Sequence, residues 1–289
     1  MMKAEAQRQE AVRGEVAAYY DSKTESILRR YGPGPRVHYH TGLVDDSPPP
    51  GLSADALKVL IRESQEVLLR ELSLAVGMPG SDCEVLDVGC GLGGGALYWA
   101  STHRARVTAI TIAPAHVPWV KRFASVAGVT DRVTPLLCDA LQVPGKERFD
   151  LVVAVESSCY LPRREWFHKV HSLLKPGGLV AIADCFLGRP ELAGPFDHYW
   201  RTSIGTVEEY FRSAAAEGLE LELHQDISSR AVNFWTLTLD LLARERDLSR
   251  RSGNGDTGRT DSQREHLRLQ QGLLDGGLLY GMMVLRRPH

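Results

Sequence analysis

The sequence predicts an α/β chain: a doubly wound, mostly parallel sheet with an N-terminal helical segment, an inserted lid and an antiparallel last strand. Three observations carry this. From residue 84 to residue 186, five strand-like runs alternate with helical runs, the pattern of βαβ units. The runs VLDV, VTAIT and LVVAV are nearly continuously apolar, as strands covered on both faces must be. The first of them stops in GCGLGGG, residues 89–95, where a strand turns sharply into a helix.

The elements follow in order. Residues 4–20 read as a polar helix with a partial apolar stripe, leading into the loop-and-helix stretch YYDSKTESILRRYGPGPRVHYHTG. The run SPPPGLS breaks the chain, and Ser53 is placed to cap a helix over 54–77 that carries Leu57, Val59, Leu60, Val67, Leu68 and Leu72 at helical spacing. Then come EVLDVGC (strand), GALYWASTH (helix), RVTAITIA (strand), PAHVPWVKRFASVAGV (helix, ended by Gly128), RVTPLLCDA and RFDLVVAVES (strands), EWFHKVHSLLKPGG (helix) and LVAIADCF (strand). Past Cys185, GRPELAGPFDHYWRTS is rich in proline and aromatic residues and reads as a lid or wall. A helix, a strand and a further helix lead to SRRSGNGDTGRTDSQ, whose polar, glycine-rich composition predicts a linker over 249–263. GGLLYGMMVLRRP reads as the last strand. The expected organisation is an N-terminal helix and substrate or lid segment over 1–53, whose helix closes over the site or packs on a neighbouring subunit, a cofactor-binding core over 54–186, a lid and substrate wall over 187–248, the linker over 249–263, and a helix and strand over 264–289 completing the core.

With 289 residues and 43% hydrophobic content the chain suits one large domain with a cap. A net charge of −2 argues against nucleic acid or an anionic membrane as partner. Five cysteines without a CxxC pair predict reduced thiols and no metal site. The polar N-terminus has no apolar signal region and no run is long enough to span a bilayer, so a cytoplasmic enzyme is expected, as a homo-oligomer acting on a small molecule.

In doubly wound sheets, ligands sit at the carboxyl ends of the strands. A glycine loop there is also met in dinucleotide-binding oxidoreductases, but those want an acidic residue at the end of the second strand, where this chain has Thr111. The loop LDVGCGLGG resembles the cofactor loop of the S-adenosylmethionine-dependent methyltransferases, and TAITIAPAH, CDAL and LLKPGGLVAIAD are similar to that family's later motifs. The resemblance covers about residues 84–186. It implies that Gly89, Cys90, Gly91 and Gly93 pack against the amino-acid end and ribose of S-adenosylmethionine. Asp87 would hold the loop or bind the cofactor's ammonium. Thr111 and Ile112 would lie near ribose and adenine, Asp139, Ala140 and Leu141 near the adenine, and His116 would take the place of the missing acid. S-adenosylhomocysteine is the expected by-product.

Glu156 ends the fourth strand and faces the place of the transferred methyl. It reads either as a solvated carboxylate or as a base that takes a proton from the methylated product. Tyr160, His198, Tyr199, Trp200, Phe234 and Trp235 supply faces for an aromatic pocket, since ring faces stabilise cations; core packing is the alternative for each. AVESSCY, the lid and AVNFWTLTLDL resemble the corresponding segments of actinobacterial prenyl C-methyltransferases, a group with relatives acting on prenylated indole alkaloids, which implies methyl transfer to an alkene carbon of a prenyl or terpenoid acceptor through a carbocation, with Glu156 as base and deprotonation or cyclisation to follow. An O- or N-methyltransferase of a polar metabolite is the competing reading. In RVHYH, Arg36, His38 and His40 are expected to grip a diphosphate, with magnesium, or to hold a neutral polar substrate. Tyr19 and Tyr20 are expected at the mouth of the site.

Overall fold

The computed structural model describes residues 2–78, 80–251 and 258–289, and the side chains of 13–78, 80–246 and 262–289 among them. Helix α1 (Met2–Tyr31) and helix α2 (Ala54–Ala75) precede the sheet. The alternation then runs β1 (Glu84–Val88), α3 (Gly94–His103), β2 (Arg106–Thr111), α4 (His116–Val126), β3 (Val133–Leu137), β4 (Phe149–Val155), α5 (Arg163–Leu173) and β5 (Leu174–Leu187). The remainder is α6 (Ala193–Trp200), α7 (Val207–Ala216), β6 (Glu220–Asp226), α8 (Ser228–Arg251), α9 (Gly258–Leu274) and β7 (Leu278–Arg286).

The strands form one sheet in the order β3-β2-β1-β4-β5-β7-β6. β1 to β5 are mutually parallel, and β7 inserts antiparallel between β5 and β6, opposing Ala183 with Met282. Strand order reverses between β1 and β4, whose Val85 and Leu151 are paired, so the crevice for a ligand opens at their carboxyl ends.

Side chains alternate across the sheet, so the apolar strands feed two cores. Val85, Val107, Leu151 and Val153 face α2, α3 and α8; Leu86, Val88, Val152 and Ala154 face Trp166, Phe167 and Tyr210. Phe167 is fully buried, worth about 1.5–3 kcal/mol relative to an exposed ring. Ser53 caps α2 as its position predicts, accepting from the Ala56 amide at 3.2 Å.

The structure differs from the sequence reading in three places. α1 runs unbroken through Tyr31, far past residue 20, because its partial stripe is completed by Ile27 and Tyr31 packing on the cap. KPGG does not close α5 but starts β5, which pairs with β4 from Leu174. The expected linker is narrower: α8 extends to Arg251 and α9 begins at Gly258, and residues 252–257 lie outside the described residues. α2 and α8 pack on each other, so the segment before the sheet and the segment after β6 form one cap. Among the described residues no helix is long and apolar enough to cross a membrane.

The loop over 36–40 docks on the first turn of α3 through Gly94, where a Cβ would stand 2.5 Å from both His38 Nδ1 and the Val37 carbonyl oxygen. Overpacking of this kind costs about 1–3 kcal/mol, more than the roughly 1 kcal/mol that alanine gains over glycine in a helix. Gly94→Ala is therefore expected to lower stability in urea denaturation, and a stabilised variant would mean that the loop does not dock there.

Candidate active site

The first turn after β1 sets the site. Gly89 has φ +71°, and a Cβ on it would lie 2.6 Å from the Ser157 Cβ. Ser157 in turn donates to the Val88 carbonyl at 2.6 Å, locking the ends of β1 and β4 together. The backbone thus passes where no side chain fits.

Above this turn lies a solvent-open cavity of about 1370 Å³. Asp87, Gly89, Cys90, Gly91, Thr111, Ile112, His116, Asp139 and Ala140, expected at a cofactor from the sequence, all line it. Gly93 and Leu141 do not. Gly93 caps α3 with its Cα turned to Val120 of α4, and Leu141 packs into the core behind Asp139. Asp87 is buried and accepts from the Ala96 amide, but its Oδ2 has no hydrogen-bond partner among the described residues. Burial pushes its carboxyl up to about 7. A buried carboxylate oxygen left open at a cavity is a seat for a cationic donor, which fits the ammonium of an amino-acid moiety.

Helix α1 roofs this cavity with Arg13, Val16, Tyr20 and Ile27; closure over the site is one of the two places the sequence predicts for the N-terminal helix, the other being a neighbouring subunit. Arg13 pairs with Asp139 at 2.7 Å, Asp21 accepts from the Ala115 amide at 3.0 Å, and the Tyr20 and Tyr160 hydroxyls share a hydrogen bond at 2.7 Å. Asp139 also accepts from the Leu141 amide at 2.7 Å, so its carboxylate is fixed from both sides.

Glu156 stands at the end of β4 with φ +47°, a left-handed backbone that costs a non-glycine residue of order 1–3 kcal/mol. Its amide donates to the Ala183 carbonyl at 2.8 Å, which holds it against β5. Its Oε1 accepts from the Thr41 amide at 2.6 Å and from the Tyr280 hydroxyl at 2.8 Å. Burial pushes the carboxyl up to about 7 and nearby Asp184 adds to the rise, while the hydrogen bonds from Thr41 and Tyr280 oppose it. Asp184 is itself pinned by Ser158 Oγ at 2.5 Å and by the amides of Cys159 and Cys185. The Ser158–Tyr160 turn is held in place by these bonds.

A second cavity of about 720 Å³ adjoins the first, with Glu156, Tyr20, Tyr39, His40 and Tyr160 on the wall they share. Beyond these, its lining is dominated by Tyr31, Phe196, Trp200, Phe234, Trp235 and Tyr280. Of the residues expected at an aromatic pocket, Tyr160, Trp200, Phe234 and Trp235 line this cavity, whereas His198 and Tyr199 do not.

The expected grip at RVHYH is not formed. Arg36 and His38 both pair with Glu66 of α2, at 3.0 and 2.9 Å, and Arg36 lines neither of these two cavities nor a third, smaller one beside them. His38 lines the first cavity only, and His40 lines both. Burial holds His40 down to about 3, so it is neutral and cannot act as a cationic grip. His198 also lines none of these cavities, since it lies on the opposite side of short α6 from Phe196 and Trp200, while Tyr19 and Tyr199 border a third, smaller cavity. Among the described residues no cluster of three or more His, Cys, Asp or Glu is placed to hold a metal ion. Arg13, Thr41, Asp184 and Tyr280 join the site without having been marked by sequence pattern.

A methyltransferase-domain family model matches residues 85–178. Erythromycin 3''-O-methyltransferase of Saccharopolyspora erythraea is 36% identical over 141 residues, 47% of this chain and 46% of that protein. The chain spans about half the length of the curated relatives it matches. Among solved structures, geranyl diphosphate methyltransferase in complex with GPP and sinefungin superposes with a TM-score of 0.81 at 20% identity, over 96% of this chain and 99% of that one. Geranyl diphosphate C-methyltransferase from Streptomyces coelicolor A3(2), in complex with Mg2+, geranyl-S-thiolodiphosphate and S-adenosyl-L-homocysteine, gives 0.80 at 19% identity, over 96% and 98%. With the Gly89 turn, the strand order and these matches together, residues 85–178 are a methyltransferase domain, in a chain that has the fold of the class I S-adenosylmethionine-dependent methyltransferases.

Proposed function

We propose that the chain is an S-adenosylmethionine-dependent C-methyltransferase acting on an alkene carbon of a prenyl or terpenoid acceptor. The observation that carries this reading is Glu156: a desolvated carboxylate on the wall shared by the glycine-loop cavity and an aromatic cavity. Bound S-adenosylmethionine supplies an electrophilic methyl group and leaves as S-adenosylhomocysteine. Asp87 would hold the ammonium of its amino-acid end, the Gly89–Gly91 backbone would lie against it, and Asp139 with Ala140 would border the adenine side. The acceptor's π electrons form the new carbon–carbon bond, which leaves positive charge on the neighbouring carbon. Tyr20, Tyr160, Trp200, Phe234 and Trp235 surround that charge with ring faces. Glu156 then takes a proton from an adjacent carbon, whose C–H electrons restore the double bond. Oε1 is meanwhile held by the Thr41 amide and the Tyr280 hydroxyl. Similarity to the geranyl diphosphate C-methyltransferases supports this assignment, and a diphosphate acceptor would bring magnesium with it.

A second reading has its own observation. His40 Nδ1 meets the Thr41 carbonyl at 2.8 Å, so that nitrogen carries the proton and Nε2 is left as an acceptor without a partner among the described residues. A hydroxyl on the acceptor would donate to it, giving an O-methyltransferase, the chemistry named for the Saccharopolyspora relative. Carbon-13 NMR of the product made with labelled methyl separates the two: a methyl resonance on carbon supports C-methylation, one on oxygen excludes it.

Glu156→Gln keeps the acceptor oxygen that Thr41 and Tyr280 use and removes the base. Turnover is expected to fall by about 10²–10⁴ with S-adenosylhomocysteine affinity unchanged; unchanged turnover would remove Glu156 as base. In the wild type kcat/KM should rise with pH through about 7, as the carboxyl ionises, and this limb should vanish in the variant. Stability moves the other way. A carboxyl raised in the folded chain favours folding below its unfolded value near 4.5, and that contribution is lost as pH climbs through about 7. Glu156→Gln is therefore expected to gain stability over wild type at pH 8, by up to about 3 kcal/mol, and almost none at pH 4. Thermal melts at both values check it, and an equal shift at the two would contradict it.

A further inference from the structure

The charge around the aromatic cavity is one-sided. Among the described residues no lysine or arginine lines it, while Glu156 and Asp184 both do. Its two histidines are neutral. Burial holds His40 and His266 each down to about 3, and the charges of Arg30 and Lys23 add to the effect on His266. The cations that lie beyond the cavity are engaged elsewhere. In the third cavity, of about 410 Å³, Arg30 pairs with Glu245 at 3.0 Å and Lys23 sits over the Tyr19 ring at 5.3 Å. Arg36 is held by Glu66.

Two polar atoms on this wall stay open, and both belong to neutral rings that the methyl-transfer mechanism does not use as polar groups. Trp235 is 7% exposed and His266 6%, both line the aromatic cavity, and their ring centroids are 4.9 Å apart. Trp200 stacks on the same imidazole at 5.8 Å, so two indoles hold it in place. Neither Trp235 Nε1 nor His266 Nδ1 has a hydrogen-bond partner among the described residues. An indole N–H only donates, so whatever fills the cavity beside it must bring an acceptor oxygen. A neutral imidazole offers one donor and one acceptor nitrogen. A hydroxyl or a carbonyl group meets such a wall without cost. A phosphate ester would bring negative charge to a wall with no cation for it, and an unpaired charge is far costlier to bury than an unpaired dipole.

We infer that the acceptor carries an uncharged polar head, whose hydroxyl or carbonyl oxygen takes the Trp235 indole N–H with His266 beside it, and that it is not a phosphate or diphosphate ester. The inference rests on reading the aromatic cavity as the acceptor site. It gives Trp235 and His266 a specificity role. They fix one end of the acceptor, and the hydrocarbon part runs from them to Glu156 within the same cavity. The chain then shares the fold of the geranyl diphosphate C-methyltransferases but not their class of acceptor.

Probes that share one hydrocarbon skeleton test this: geraniol, geranyl diphosphate with and without magnesium, and the diene hydrocarbon that lacks the oxygen. Each is titrated into the full chain loaded with S-adenosylhomocysteine and followed by calorimetry and by the indole N–H resonance of Trp235, assigned through Trp235→Phe. Geraniol is expected to shift that resonance and to bind about fivefold more tightly than the hydrocarbon, the gain from a hydrogen bond to one buried donor. It is also expected to bind at least about tenfold more tightly than the diphosphate, whose charge the wall leaves unpaired. In Trp235→Phe the advantage of the alcohol over the hydrocarbon should shrink to about twofold or less. Both ligands are compared within the variant, so a general loss of fit cancels. Geranyl diphosphate binding as tightly as geraniol would overturn the uncharged head. Alcohol and hydrocarbon binding alike to the wild type, with a resonance that does not move, would overturn the Trp235 subsite and leave the cavity as the acceptor site. If no probe binds, the reading of the cavity falls and this inference with it. A product methylated on oxygen, with geraniol preferred as expected, would sink C-methylation and leave the uncharged head standing.

Discussion

The site depends on one carboxylate largely desolvated by the protein around it. Glu156 sits in a left-handed backbone at the end of β4, and two donors from distant parts of the chain, the Thr41 amide and the Tyr280 hydroxyl, converge on a single oxygen. Desolvation raises the carboxyl and the two hydrogen bonds stop it from becoming a permanently neutral acid. That balance leaves it poised near neutral pH, where a base is most effective. The strained backbone is sustained because the Glu156 amide is tied to β5 and Asp184 anchors the turn that follows.

Everything around the carboxylate has the same logic. The parallel sheet supplies strand ends and a glycine turn at the switch point. The antiparallel β7 delivers Tyr280 from the far end of the chain, because it inserts beside β5 with Tyr280 opposite Cys185. Helix α1 closes the other side, tied down by Arg13, Tyr20 and Asp21. One wall thus separates a cavity with an open carboxylate oxygen at Asp87 from a cavity lined with aromatic rings, and Glu156 is part of that wall.

The sheet was legible in the sequence because parallel strands covered on both faces must be apolar runs, and the β1 turn because its glycines answer a steric demand at Ser157. Glu156 was legible as a charge at the end of such a run. Its partners were not. Thr41 lies 115 residues before Glu156 and Tyr280 124 residues after it, so only the fold brings them to the carboxylate. RVHYH misled for a related reason: its arginine and first histidine carry the chemistry of an anion grip, but Glu66, one helix away, occupies both. The length of α1 was hidden because its apolar contacts are few and far apart along a polar helix, and its roofing role comes from long-range pairs such as Arg13 with Asp139. Gly93 shows the limit of motif reading within the loop itself, since it is shaped by packing against Val120 and not by the cavity.

The most direct test is the titration of Glu156 itself. Difference infrared spectroscopy of the wild type against Glu156→Gln, from pH 5 to 9, isolates its carboxyl stretch. A protonated carboxyl band that gives way to carboxylate around pH 7 is the expected result. A side chain already ionised throughout that range, as for an ordinary solvated glutamate, would contradict the claim that this buried carboxylate is the base on which the site is built.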